Sequence, residues 1–170
     1  SKDGGLFLPH KWPLLDVNTL KNTTYEELAI EVIHPYVANE ISKNDLKKII
    51  DDSYKYFSNP KIAPVTTIEQ NKYILELFYG PTFAFKDYAL QFLGNLFTYA
   101  LPKASKKLTV LGATSGDTGS AAIHAFRGKQ DINVFILHPH NRVSDVQRRQ
   151  MTTVQDDNIF NVAIKGNFDD

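Results

Sequence analysis

The chain has no cysteine. Disulfide scaffolds, thiolate nucleophiles and cysteine-ligated zinc are therefore excluded together. It also lacks an excess of either charge, with 19 Lys+Arg against 19 Asp+Glu. That balance gives no bulk electrostatic ground for binding nucleic acid or an anionic membrane. No apolar run approaches the roughly 18 to 20 residues that span a bilayer. The opening Ser1-Lys2-Asp3-Gly4-Gly5 does not have the basic-then-apolar order of a secretory signal. There is no internal repeat and no low-complexity tract. What is present is ordinary globular material: 42% hydrophobic and 22% charged residues in 170 positions, enough for one domain or one and a half small ones. These features lead to the expectation of a soluble, cytoplasmic domain. The absence of an initiator Met at Ser1 adds the expectation that the chain begins partway into a gene product.

The pattern changes near residue 60. Before it the chain reads as helical. Thr24-Tyr25-Glu26-Glu27 fits a capping box, and Leu28, Val32, Ile33 and Tyr36 recur at helical spacing, with Pro35 limiting the run. A second helix is predicted from Ser42, with Leu46, Ile49, Ile50, Tyr54 and Phe57 on its apolar side. Asn59-Pro60 and Ala63-Pro64 stop it. Gly5–Pro9 is a short apolar piece, either a strand or a tucked arm. After residue 60, Val65–Glu69 and Tyr73–Phe78 flank a polar Gln70-Asn71-Lys72, which predicts a hairpin. Then follow a helix over 86–100, a strand over 107–111, a helix over 120–127 closed by Gly128 and a strand over 133–137. A capping box at Ser144–Gln147 comes next, with Val143, Val146, Met151 and Val154 as its apolar stripe, then a strand over 159–164. Strands alternating with helices of about ten residues are the grammar of βαβ units on a parallel sheet. At the carboxyl end Asn167 is a good N-cap followed by Asp169 and Asp170, which leads to the expectation that the chain is a fragment of a longer protein.

Two segments carry chemistry. In Gly80-Pro81-Thr82-Phe83-Ala84-Phe85-Lys86-Asp87, a lysine follows an apolar stretch at a predicted helix start. Burial and the positive helix end both disfavour an ammonium, and so favour the neutral amine that a Schiff base needs. The alternative is a lysine that snorkels from a helix surface over the phenylalanines, with Asp87 as no more than a first-turn acid. In Gly112-Ala113-Thr114-Ser115-Gly116-Asp117-Thr118-Gly119, three glycines and three hydroxyl residues join a strand to a helix. Glycines allow close approach to the backbone, and free N–H groups at the helix start offer an anion site. The spacing is neither a P-loop nor a dinucleotide fingerprint. The alternative is a tight turn in which Asp117 or Thr118 caps the helix.

These two motifs together resemble the pyridoxal-phosphate-dependent threonine synthase family. Asp3–Pro9, Tyr25–Ala29, Leu75–Phe78, His124–Gly128 and Val143–Met151 also fit that family, so essentially the whole chain is covered. The resemblance implies an α/β chain of PLP fold type II, the tryptophan synthase β-like fold. A helical amino-terminal domain with a short hairpin would occupy 1–78, and the first part of the parallel-sheet catalytic domain 79–170, incomplete at its carboxyl end. It implies pyridoxal 5'-phosphate as cofactor, held by Lys86 as an internal aldimine, with Lys86 then moving protons. It implies O-phosphohomoserine as substrate, a small molecule converted with water to threonine and phosphate. Thr114, Ser115, Gly116 and Thr118 would hold the substrate carboxylate, and Asp117 would stand beside the cofactor's ring hydroxyl. The glycine-rich cradle for the cofactor phosphate and the group facing the pyridine nitrogen would both lie downstream. Relatives often carry glycine where this chain has Asn141.

Two other readings stay open: a threonine synthase-like phospho-lyase or related dehydratase, and a truncated anion-binding domain with no activity of its own. The five histidines show no metal-ligand spacing. Arg142, Arg148 and Arg149 form the one basic cluster, read as a solvated helix face. Tyr54, Tyr56 and Phe57 read as core or as a seam between the two parts.

Overall fold

The structure, a computed structural model, describes residues 1–104, 107–114 and 116–166. The expected Asn167 cap and the acids after it lie outside the described residues. The chain divides into two compact units, Ser1–Ile50 and Asp51–Asp170.

In the first unit, the exposed arm around Leu6, Phe7 and Leu8 forms neither a strand nor a tucked segment. Helix α1 (Tyr25–Val37) starts as its sequence dictates: the Glu27 N–H donates to Thr24 Oγ1 at 3.2 Å and the Thr24 N–H donates to Glu27 Oε2 at 2.8 Å. Pro35 does not end it. The helix runs two residues further, because a proline near the last turn forfeits only one carbonyl bond before the helix stops anyway. The expected stripe is also corrected: Leu28, Val32 and Tyr36 are exposed and no α1 residue is buried. Helix α2 (Lys43–Tyr54) begins after Ser42, whose hydroxyl accepts the Asp45 N–H at 3.1 Å. Its predicted apolar side is buried at Leu46, Ile49, Ile50 and Tyr54.

In the second unit, β1 (Val65–Glu69) and β2 (Lys72–Leu75) form the expected antiparallel hairpin, with β2 ending three residues short of Phe78. Tyr54, Phe57 and Tyr88 form an edge-to-face aromatic group with centroids 5.2 and 4.9 Å apart. Tyr56 is not part of it; its ring is exposed under Lys55. Helix α3 (Lys86–Ala104) runs past Pro102. Then β3 (Leu108–Ala113), α4 (Asp117–Phe126), β4 (Ile132–Pro139), α5 (Asp145–Thr152) and β5 (Ile159–Ile164) build a three-stranded parallel sheet in the order β3-β4-β5.

The core lies on one face of this sheet. Ile132, Val134 and Ile136 of β4 alternate inward against Ala122, Ile123 and Phe126 of α4 and Met151 of α5. Leu90, Leu93 and Phe97 of α3 pack on the same cluster. Covered by the sheet and α3 together, α4 is buried almost throughout, and its Gly119-Ser120-Ala121-Ala122 run is small enough to permit that approach. The other face carries Leu111, Phe160 and Val162 as exposed residues, with Phe135 and Phe160 stacked at 4.5 Å.

One amide ties the lower ends of β4 and β5 to the end of α4. Asn158 Oδ1 accepts the Gly128 N–H at 2.9 Å, while its Nδ2 donates to the carbonyls of Phe126 at 2.9 Å and Ile132 at 2.8 Å. Removing it leaves these backbone groups unpaired. With each such bond worth about 1 kcal/mol net, Asn158→Ala is expected to cost about 2–3 kcal/mol in urea denaturation. A loss under about 0.5 kcal/mol would show that water replaces the amide.

Candidate active site

The first motif folds as two consecutive tight turns. The Phe83 N–H donates to the Gly80 carbonyl at 3.1 Å, and Phe83 then takes a left-handed φ of 62°. A bulky residue there is uncommon and costs roughly 1–2 kcal/mol. The turn is held by Asp87, which is fully buried. Its Oδ2 accepts the Thr82 N–H and its Oδ1 the Thr82 hydroxyl, both at 2.8 Å. Asp87 is thus more than a first-turn acid: it closes the loop that leads into α3. Gly80 is required for the same reason, since a Cβ there would lie 2.5 Å from both the Cβ and Oδ2 of Asp87.

Lys86 opens α3 and is half-buried. The apolar stretch before it does not enclose its amine, because Phe83 and Phe85 are both exposed. Instead Nζ lies 4.6 Å from the Phe85 ring centroid.

The second motif is organised by Thr114, which is buried. Its N–H donates to the Leu137 carbonyl at 3.0 Å, extending the β3–β4 ladder by one residue. Its Oγ1 accepts the N–H groups of Gly116 at 3.0 Å and Gly119 at 3.1 Å. Gly116 is the N-cap and supplies no side chain, so neither Asp117 nor Thr118 caps α4. The first-turn N–H groups of Asp117 and Thr118 have no intrahelical partner, as at any helix start, and both side chains are exposed. Ser115 lies outside the described residues.

Helix α5 brings the two motifs together. Gln147 Nε2 donates to Asp117 Oδ1 at 2.6 Å, and Gln150 Nε2 donates to the Thr82 carbonyl at 3.3 Å. Residues three apart share a helix face, about 5–6 Å between Cβ atoms. The lysine-bearing loop and the hydroxyl-rich turn therefore touch the same face of one helix. Neither glutamine was singled out from the sequence beyond the capping box. That box is half formed: Ser144 Oγ accepts the Gln147 N–H at 3.3 Å, but the Gln147 amide reaches Asp117 instead of the Ser144 backbone. The predicted stripe is corrected as well, since Val146 is exposed while Met151 is buried. Arg148 and Arg149 point outward, and Asn141 adopts a left-handed φ of 56°, a conformation that asparagine tolerates almost as glycine does.

An apolar cavity of about 200 Å³ between α3, β3 and α4 reaches this turn, with Leu90, Thr114, Thr118 and Gly119 in its wall. A larger cleft of about 720 Å³, lined by Arg127, Lys129 and Asp156 among others, lies at the opposite end of the strands from the Thr114–Gly119 turn. It gathers none of the candidate residues.

Burial pushes the Asp87 carboxyl above its ordinary range; the two Thr82 donors and the nearby His124 pull it back only partly. A raised folded value means that the associated stability is complete below the unfolded value of about 3.9 and is lost as pH rises through the folded one. Asp87→Asn removes this slope. The stability of the parent chain relative to the variant is expected to fall as pH rises above about 4, read by urea unfolding at a series of pH values. A difference independent of pH would show that Asp87 titrates normally.

A family model described as "Threonine synthase N terminus" matches residues 1–54. The threonine synthase of Pseudomonas aeruginosa is 49% identical over all of this chain, which covers 37% of that protein. Two solved structures superpose closely. The PLP-bound threonine synthase of Brucella melitensis has a TM-score of 0.92 at 41% identity, with 99% of this chain and 37% of that one covered. Yeast threonine synthase has a TM-score of 0.91 at 45% identity, with 99% and 36% covered. The chain thus spans little more than a third of the length of the relatives it matches.

Proposed function

Because the chain belongs to the threonine synthase family, we propose that it forms the lysine-bearing part of a pyridoxal 5'-phosphate enzyme. That enzyme converts O-phosphohomoserine and water to threonine and phosphate. Activity belongs to the full-length polypeptide, in a cytoplasmic setting, with small molecules as its partners. The observation that carries this reading is the shared attachment of two loops to α5: the loop leading into Lys86 through Gln150, and the Thr114–Gly119 turn through Gln147. An amine and an anion-seeking turn held to one support are what an amino-acid substrate on an aldehyde cofactor requires.

The residues present suit that cofactor. A half-buried primary amine at the start of α3 is accessible to an aldehyde, and an exposed carboxylate, Asp117, stands on the neighbouring turn. When bound, the cofactor supplies the electron sink that makes the substrate's carbon–hydrogen bonds acidic. Lys86 anchors it covalently and, once released, takes and returns protons at the substrate carbons. The substrate carboxylate sits on the turn of Thr114, Ser115, Gly116 and Thr118. Thr114 supports this role chemically: its oxygen already accepts two N–H bonds, so its hydroxyl proton remains to be donated. The N–H groups of Asp117 and Thr118 add the positive end of α4. Asp117 orients the cofactor ring. Over the chemistry the phosphate leaves the γ carbon and water adds at the β carbon, so that the hydroxyl of threonine comes from solvent.

The test uses the full-length protein. With pyridoxal phosphate it should show a near-visible absorption band, and borohydride should fix the cofactor's mass on the peptide containing Lys86. Lys86→Ala should abolish band and adduct and lower activity at least a thousandfold, the scale of losing an anchoring nucleophile and acid–base group together. A band that survives Lys86→Ala would put the attachment elsewhere. Phosphate released without threonine would favour the phospho-lyase reading.

A further inference from the structure

The geometry points to Gln147 as a positioning residue: from α5 it holds the Asp117 carboxylate and packs across Gly116, in the arrangement that receives the substrate. This inference rests on the function proposed above and gives Gln147, there only a tether of the turn, a role in substrate affinity.

The local hydrogen bonding fixes the orientation of the Gln147 side chain. Ser144 Oγ accepts the Gln147 N–H at 3.3 Å, so its own proton is available, and it donates that proton to Gln147 Oε1 at 2.9 Å. With Oε1 facing Ser144, the amide's NH2 faces the other way, where it donates to Asp117 Oδ1 at 2.6 Å. A donor to an ionised acceptor is roughly twice as strong as a neutral pair. The side chain also lies directly across the turn. A Cβ on Gly116 would fall 2.6 Å from Gln147 Cδ, and Gly116 holds a φ of 150° that side chains rarely adopt. Glycine at 116 and glutamine at 147 are therefore one fitted contact. The backbone N–H of Gly116 is in turn fixed by Thr114 Oγ1 at 3.0 Å. Displacing Gln147 consequently releases the Asp117 carboxylate and removes the side chain packed across Gly116, while Thr114 keeps the turn itself in place.

Position 147 is half-buried, whereas Asp145, Val146, Arg148 and Arg149 around it are exposed. Gln150, the other half-buried amide on this face, holds the Thr82 carbonyl. The Lys86 loop and the substrate turn are thus set relative to each other through two amides on one helix.

The experiment substitutes Gln147→Glu in the full-length protein loaded with pyridoxal phosphate. Glutamate keeps the shape and the acceptor for Ser144, but it sets a carboxylate against Asp117 in place of the donor. The expected result is a near-visible band that persists with a displaced maximum. KM for O-phosphohomoserine should rise about tenfold or more while kcat stays within about threefold, the pattern of a contact made equally to bound substrate and transition state. A folding defect would instead lower the active fraction, and with it kcat. Should Gln147→Glu fail to fold, Gln147→Met removes the donor without adding charge and should raise KM by a similar factor. A parental spectrum and KM in Gln147→Glu would overturn the proposal, and so would a parental KM in Gln147→Met. No band in the parent protein at all would instead defeat the function proposed above.

Discussion

The whole arrangement depends on the point where the β3–β4 ladder ends. Thr114 adds one backbone bond beyond Ala113, to the Leu137 carbonyl, and the side chain of that residue then takes the N–H groups of Gly116 and Gly119. Strand register, turn shape and the start of α4 are fixed by one residue. Since β4 runs parallel to β3, the chain leaving β4 emerges at the same edge of the sheet, and it is this segment that provides α5. Parallel topology therefore delivers α5 to the turn, and side-chain chemistry completes the contact.

Much of this was legible in the sequence, where strong local signals agree with the fold. The bounds of β5 follow its apolar run, and the Thr24 capping box forms as written. The parallel sheet follows from strands spaced by helices, and the apolar side of α2 is buried at the periodic positions. Asn141 was expected to bend its loop differently from a glycine, yet it occupies a left-handed position that both residue types tolerate.

The remainder depends on distance in space and was not legible. Phe83 in a left-handed conformation contradicts its local preference and is imposed by the buried Asp87–Thr82 pair five residues along. The α1 stripe has helical spacing, yet Leu28, Val32 and Tyr36 stay exposed and Ile33 is only half-buried, because periodicity shows which residues share a face and not whether anything covers it. The surroundings of Lys86 stayed open between two readings for a related reason, and the structure agrees with the lysine lying over a phenylalanine: its neighbours in sequence turn outward, and the ring of Phe85 is beside the amine without enclosing it. Gln147 satisfied a capping pattern, and only the fold shows its amide directed to a residue thirty positions away.

Helix α5 is eight residues long. A segment that short has almost no tendency to stay wound in water by itself. It persists through its surroundings: the Ser144 cap, Met151 in the core, the Asn161 amide on the Met151 carbonyl and the two loops it grips. The support and the loops it carries are consequently a single cooperative unit, so that this edge of the sheet orders or melts together.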